Sequence, residues 1–245
     1  MNMEPHMKRL IRVAVVFAAI MPSLVATATA QDLSGVWLLQ EPNGSFSKGP
    51  PAAMTPWGVE RFTANKPTIG PNAALDANDP TVACVPPGVP YVLVVPTPIE
   101  FVQLPEQVIQ LFEYSHFVRR IYTDGRAHPT TLQDTGSHEW MGHSIGTWEG
   151  NTFVVDTIGF NDKTWLDRLG RPHSDALHVV ERIRYADRDT LEYGVTIDDP
   201  KAYAAPWQGQ MVFKRRPGWE LGEHTCVARE DAKYLEFRKR AWEKR

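Results

Sequence analysis

The segment GHSIGTWEGNTFVVDTIG, residues 142–159, decides the fold because it has the pattern of a β-hairpin. Gly150-Asn151 is a two-residue turn that can hold positive φ angles, and strand-like composition flanks it on both sides. If Glu149 pairs with Thr152, the rest of the register follows. That register pairs Trp148 with Phe153, Ile145 with Asp156, and His143 with Ile158.

One face of this hairpin must be buried, and the register makes His143 and Asp156 diagonal neighbours on one of the two faces. That face holds more of the branched aliphatic residues that fill half-buried pleated surfaces. We therefore predict that His143 and Asp156 point inward. Burial of the opposite face is the alternative. That face carries Gly142, Ser144, Gly146, Trp148, Phe153, Val155, Thr157 and Gly159.

The remaining chain predicts a mainly β protein. Residues 91–217 contain short strands separated by turn residues, with no helix long enough for a crossover between parallel strands. We expect a single antiparallel up-and-down β-barrel of about eight or nine strands. Residues 31–90 supply one strand and a Pro/Gly-rich coil, in which Thr55-Pro56 indicates the start of a short helix. Residues 229–245 predict a C-terminal helix packed on the outside of the barrel.

The first thirty residues have the three-part pattern of a signal peptide. Basic residues precede the apolar run 13–26, which is too short to span a membrane, and Ala28-Thr29-Ala30 matches a cleavage site. The pattern predicts a periplasmic or secreted protein cleaved near Ala30, with residues 31–245 forming one domain. Cys84 and Cys226 are the only cysteines, and in an oxidising compartment they are expected to form a disulfide.

The formal net charge of −3 indicates neither a nucleic-acid footprint nor a polybasic membrane surface. No later apolar run is long enough for membrane insertion. The expected partner is therefore a small-molecule ligand, and the sequence leaves the oligomeric state open.

Gly35-Val36-Trp37 on the first strand, the strand meander, the late cysteine and the C-terminal helix together resemble the lipocalin (calycin) plan. This resemblance implies a cup-shaped barrel that binds small apolar molecules. The segments Cys84-Val85-Pro86-Pro87-Gly88, GHSIGTWEGNTFVVDTIGF and IDDPKAY also resemble a widespread group of exported bacterial proteins. That second resemblance spans most of the mature chain and implies no activity.

Residues 160–176 form an unusually long connection that contains Trp165 and His173. Long connections in compact domains are typical of functional lids, so we predict a flap over a pocket mouth. A solvated surface loop is the alternative.

Glu181 lies among the apolar residues of one face of ALHVVERIRY, residues 176–185, and is predicted to point into the barrel. A carboxylate there needs a partner, and Arg119, which alternates with Phe117 and Ile121, is the expected one. Their pair is either a structural ion pair or a group that orients a ligand.

Two catalytic motifs are matched only superficially. Gly142-His143-Ser144-Ile145-Gly146 fits G-x-S-x-G, but a turn and a strand follow it where the nucleophile elbow of a hydrolase needs a helix. The segment HEWMGH, residues 138–143, has one residue too many for the zinc motif H-E-x-x-H.

These residues predict acid/base chemistry on a small organic molecule, as in a lyase, isomerase or hydratase. His143 acts as base or acid, Asp156 orients it and raises its pKa, and His173 closes the site from the loop. No cofactor is implied. One alternative is a carrier without catalysis, and another is a zinc or iron site with His143, Asp156 and His173 as ligands. The remaining predicted site residues are Glu181 for acid/base chemistry and Arg119, Trp165 and Tyr185 for ligand contact.

Overall fold

The computed structural model describes residues 32–130 and 139–227, which contain nine β-strands and one α-helix. The elements are β1 (Gly35–Leu39), α1 (Pro56–Ala64), β2 (Ile99–Gln103), β3 (Gln107–Phe112), β4 (Val118–Tyr122), β5 (His143–Glu149), β6 (Thr152–Ile158), β7 (His178–Asp187), β8 (Thr190–Asp198) and β9 (Trp207–Arg215). Each strand pairs with the next, and β9 returns to pair with β1, so the sheet closes into a barrel. The predicted mainly β barrel is confirmed.

The barrel is mixed, which corrects the prediction of an entirely antiparallel meander. Strands β4 and β5 are parallel, and their register pairs Ile121 with Ser144 and Tyr122 with Ile145. Because parallel neighbours start at the same end of a sheet, residues 123–142 connect β4 to β5 as a crossover and not as a hairpin. The turn Asp124-Gly125 begins this crossover and does not close a hairpin.

The hairpin register predicted from Gly150-Asn151 is confirmed from Glu149 opposite Thr152 to His143 opposite Ile158. The predicted buried face is wrong. Burial alternates so that Ser144, Phe153, Val155 and Thr157 point inward, while His143 and Asp156 point outward. Counting branched aliphatic residues misled the prediction because other contacts fill the inner face. The ring of Phe153 packs over Gly146. Ser144 and Thr157 accept hydrogen bonds from the buried Arg119 guanidinium.

Trp37, on the first strand, plugs one end of the barrel. Its side chain is fully buried, and its indole N–H donates to the Leu33 carbonyl at 3.0 Å. The guanidinium of Arg215 lies 4.4 Å from the centre of the Trp37 ring, and Tyr185 meets that ring edge-on. This end of the barrel is therefore closed by packed aromatic and cationic groups.

The coil before β2 is anchored at two predicted points. Helix α1 starts after Thr55, whose hydroxyl caps it by accepting the Gly58 N–H at 3.1 Å. Cys84 and Cys226 form a disulfide with their Cα atoms 5.6 Å apart, which confirms their predicted pairing.

The connection 160–176 is neither a solvated surface loop nor an open flap. Most of its side chains are buried, including Trp165 and His173, which are 6% and 4% exposed. Asp167 and Arg171 form a buried ion pair at 2.8 Å within it. The predicted signal peptide and the C-terminal helix 229–245 lie outside the described residues.

No helix among the described residues is both long and apolar enough to span a membrane.

Candidate functional site

A polar network occupies the barrel interior around Arg119 on β4. The guanidinium donates to both carboxylate oxygens of Glu181, so the predicted ion pair is present and fully buried. Its other contacts are to Ser144 at 3.0 Å, Gln110 at 3.0 Å and Thr157 at 2.8 Å. These contacts engage all five N–H groups that an arginine has, so Arg119 has no donor left for a ligand.

Glu181 is satisfied in the same way. Tyr193 donates its hydroxyl to the carboxylate, and burial together with the Glu181 charge raises the pKa of Tyr193 well above its usual value. The phenol therefore stays neutral and acts as a donor. The network favours a structural ion pair over a ligand-orienting role for Arg119 and Glu181, because each charged group is fully hydrogen-bonded to partners inside the barrel.

A second cluster lies on the outer face of the barrel, and we call it the imidazole–carboxylate cluster. It contains His128 from the crossover, His143 on β5, Asp156 on β6 and His178 on β7. Asp156 binds the Nε2 atom of His128 with one oxygen and that of His178 with the other, both at 2.9 Å. The Nδ1 atoms of His128 and His143 are also 2.9 Å apart.

The hydrogen bonds fix the protonation pattern of the cluster. A carboxylate only accepts, so His128 and His178 must each donate to Asp156 through Nε2–H. In neutral His128 this leaves Nδ1 as an acceptor, and His143 must donate to it through its own Nδ1–H. Neutral His143 then presents the lone pair of its Nε2 atom, which is the arrangement a general base needs.

His143 differs electrostatically from the prediction. Its pKa is lowered from the ordinary 6.5, first by burial and then by the nearby His128 and Arg126. The predicted rise assumed direct contact with Asp156, but the ring of His128 lies between the two as a hydrogen-bonded bridge. A lowered pKa keeps His143 neutral at pH 7, so it is available to accept a proton.

Aromatic and cationic groups flank the cluster on one side. The ring of Tyr122 stacks on His143 with their centres 5.6 Å apart, and the guanidinium of Arg126 lies 3.7 Å from the centre of the Tyr122 ring. Side-chain exposure is 17% for His128 and 37% for both Asp156 and His178, so a small molecule can reach the cluster from solvent.

The other predicted site residues do not join this cluster. His173 bonds Thr164 at 2.8 Å and the Ser174 carbonyl at 3.1 Å, and burial lowers its pKa. Trp165 packs with Tyr91 and Val95 in a separate apolar cluster.

Tyr185 lies at the end of the barrel that Trp37 plugs, where its hydroxyl donates to the Asp32 carbonyl at 2.7 Å. The predicted set is therefore distributed over four places, which are the imidazole–carboxylate cluster, the barrel interior, the connection 160–176 and the end of the barrel near Trp37.

Two members of the cluster were not predicted as site residues. The sequence carried a signal for His178, because the alternation along β7 places it on the face opposite Glu181 and the β6–β7 register brings it diagonal to Asp156. His128 had no such signal, since the crossover that positions it follows only from the parallel pairing of β4 and β5.

The described residues contain no group of three or more His, Cys, Asp or Glu side chains arranged to hold a metal ion. The predicted metal set of His143, Asp156 and His173 is not brought together, because His173 is engaged by Thr164 and Ser174.

Two further cavities are lined by described residues away from the imidazole–carboxylate cluster. One of about 700 Å³ covers part of β8 and β9, and one of about 190 Å³ lies beside Asp79 and Tyr91.

Comparison with protein-family models and with curated proteins finds no match to this chain.

The pKa of His143 gives a direct test of this geometry. Replacing His128 by glutamine removes one of the groups that lower the pKa of His143 and exposes the His143 ring, so this pKa should rise from its lowered value toward 6.5. The ring Cε1–H signals followed by NMR from pH 4 to 9 measure it. His224→Gln is the matched control and should leave His143 unchanged. A wild-type His143 that already titrates as a free imidazole would show that the cluster is not assembled.

Proposed function

We propose that this chain is an exported enzyme that moves protons on a small organic molecule, as a lyase, isomerase or hydratase does. The observation that supports this most is the chain of hydrogen bonds from Asp156 through His128 to His143. It leaves a neutral imidazole nitrogen as base, with a carboxylate at the far end of the chain. Export is supported by the N-terminal pattern and by the Cys84–Cys226 disulfide.

In this proposal, His143 takes a proton from the substrate on Nε2. The positive charge is then shared along the hydrogen-bonded chain, because His143 can pass its Nδ1 proton to His128, which in turn lies against the Asp156 carboxylate. His143 therefore need not hold the whole positive charge, while burial keeps its pKa below 6.5. The same nitrogen returns the proton to another atom of the substrate, which completes an isomerisation or elimination.

His178 has a positioning role. It donates to the Asp156 oxygen that His128 does not use, so the carboxylate cannot rotate away from His128. Because the substrate approaches from outside the barrel, the interior Arg119–Glu181 pair takes no part in the chemistry.

The pH dependence follows from the sign of the shift. A base must be unprotonated to act, and the pKa of His143 is below 6.5. Turnover should therefore persist on acidification through pH 6.5 and fall only as the pH passes the lower pKa of His143.

Solvent deuterium exchange tests the proposal without knowledge of the natural substrate. A library of small carbonyl compounds, hydroxy acids and unsaturated acids is incubated in D2O with the protein, and deuterium uptake is measured by mass spectrometry. Wild-type protein should label at least one compound, and His143→Gln should slow that labelling by about a hundredfold or more.

His224→Gln should label at the wild-type rate, which controls for loss of any histidine. Metal analysis of protein purified without an affinity tag separates this chemistry from a metal-dependent one. The proposal fails if no compound gains deuterium faster with wild-type protein than with His143→Gln.

A further inference from the structure

The larger cavity is a cleft lined by the segment 39–50, by Gly194 of β8 and by residues 208–212 of β9, with a volume of about 700 Å³. Gln208 and Gln210 line it with exposed side chains because they alternate with the buried Trp207 and Met211 on β9. Its size is within the range of small-molecule sites. It lies on different strands from β5 and β6, which carry His143 and Asp156.

Gly194 is a strand residue of the cleft whose lack of a side chain packing does not explain. It lies in the middle of β8, pairs with Gln210 and lines the cleft. A Cβ atom there would meet its nearest neighbour, the Arg182 carbonyl oxygen, at 3.7 Å, which is an ordinary contact. Glycine within a strand costs about 0.5–1 kcal/mol relative to alanine. The absence of a side chain at Gly194 therefore keeps the space above it open within the cleft.

The neighbouring Gly209 provides a contrast. A Cβ atom there would lie 2.4 Å from the Phe46 carbonyl oxygen, so packing alone requires glycine at that position. The two glycines line the same cleft, and Gly194 lacks the packing reason that Gly209 has.

The wall of the cleft is fixed in place before any ligand binds. Phe46 stacks on Trp207 with ring centres 5.1 Å apart. Arg171, held by Asp167, donates to the Ser45 hydroxyl and to the Gly49 carbonyl. A preformed wall reduces the ordering cost of binding.

The lining has the chemistry of a neutral site. Its two charged residues, Lys48 and Glu41, pair with each other at 2.8 Å. The other polar groups are amides and hydroxyls, which offer both donors and acceptors. The side-chain amides of Gln208 and Gln210 make no hydrogen bond within the described part of the chain, so they are available to a ligand.

We infer that this cleft binds a neutral carbohydrate of one to three sugar units. Closely spaced hydroxyl groups match the mixed donors and acceptors of the Gln208 and Gln210 amides, and a cavity of about 700 Å³ accommodates a short oligosaccharide. This site is separate from the proposed proton-transfer function and does not depend on it.

Calorimetric titration of the full chain tests the inference with five probes. These are maltotriose, cellotriose and triacetylchitotriose as neutral sugars, glucuronate as an anionic sugar, and triglycine as a peptide. At least one neutral trisaccharide should bind with a Kd of about 1 mM or tighter, and glucuronate and triglycine should bind at least about tenfold more weakly.

Two variants separate cleft binding from surface association. Gly194→Phe fills the cleft and should weaken trisaccharide binding by about tenfold or more, and Gln210→Ala should weaken it as well. Val154→Phe places the same aromatic ring on the outer face of β6, away from the cleft, and should leave binding unchanged. Circular dichroism checks that each variant folds.

The inference is overturned if no neutral trisaccharide binds, if glucuronate or triglycine binds as well as the sugars, or if both cleft variants bind like wild type. If Gly194→Phe fails to fold, Gln210→Ala still decides the matter.

Discussion

Replacing Arg119 by methionine should lower the free energy of unfolding by about 3–5 kcal/mol, because it leaves Glu181 buried without its cation. Both side chains are at most 1% exposed, so water cannot take over the lost contacts. The variant also removes the guanidinium contacts of Ser144 and Thr157, which then keep only their mutual hydrogen bond at 3.1 Å. Urea unfolding at pH 7, followed by tryptophan fluorescence, measures the loss.

The double variant Arg119→Met/Glu181→Leu is the control for this prediction. Removing both charges avoids the isolated buried carboxylate, so the double variant should recover more than about half of the lost stability. If it is no more stable than Arg119→Met, the loss comes from packing and not from an unpaired charge. Exchange of deuterium by the double variant should be unaffected, since the interior pair takes no part in the proposed chemistry.

Breaking the Cys84–Cys226 disulfide is the second change with a large expected effect. The two cysteines are 142 residues apart in sequence, and the closed loop contains every strand from β2 to β9. The chain-entropy model gives about 5 kcal/mol for a loop of this length, and losses of about 2–5 kcal/mol are usual when a native disulfide is removed. Cys84→Ala/Cys226→Ala should therefore unfold at a markedly lower urea concentration.

Wild-type protein treated with a reducing agent should unfold like the double alanine variant, and the variant itself should not respond to the reductant. Two reactive thiols in the denatured, unreduced wild-type protein would contradict the pairing.

Local signals in the sequence predicted several parts of the fold correctly. Gly150-Asn151 fixes the hairpin register because a two-residue turn allows the flanking strands only one way to pair. Thr55 predicts the start of α1 through a hydroxyl that accepts the Gly58 N–H. Glu181 was placed inward with Arg119 as its partner because a lone buried carboxylate is too costly.

The parts that were predicted wrongly depend on contacts between distant segments. The inner face of the hairpin was misassigned because Ser144 and Thr157 are polar. Their burial is made favourable by their mutual hydrogen bond and by Arg119, which comes from another strand. The candidate site was misplaced for the same reason. His143 and Asp156 were correctly identified as neighbours, but His128 reaches them only through the crossover between parallel strands.

The parallel pair β4–β5 has a mechanical consequence. Its register contains two residue pairs, whereas the β5–β6 register next to it contains seven. The barrel wall therefore has a seam at which the backbone ladder is short. Arg119 lies on one side of that seam and bonds Ser144, Thr157 and Glu181 on the three strands beyond it. One buried side chain thus links β4 to β5, β6 and β7 by hydrogen bonds. These bonds contribute to the closure of the barrel where the backbone ladder between β4 and β5 supplies few hydrogen bonds of its own.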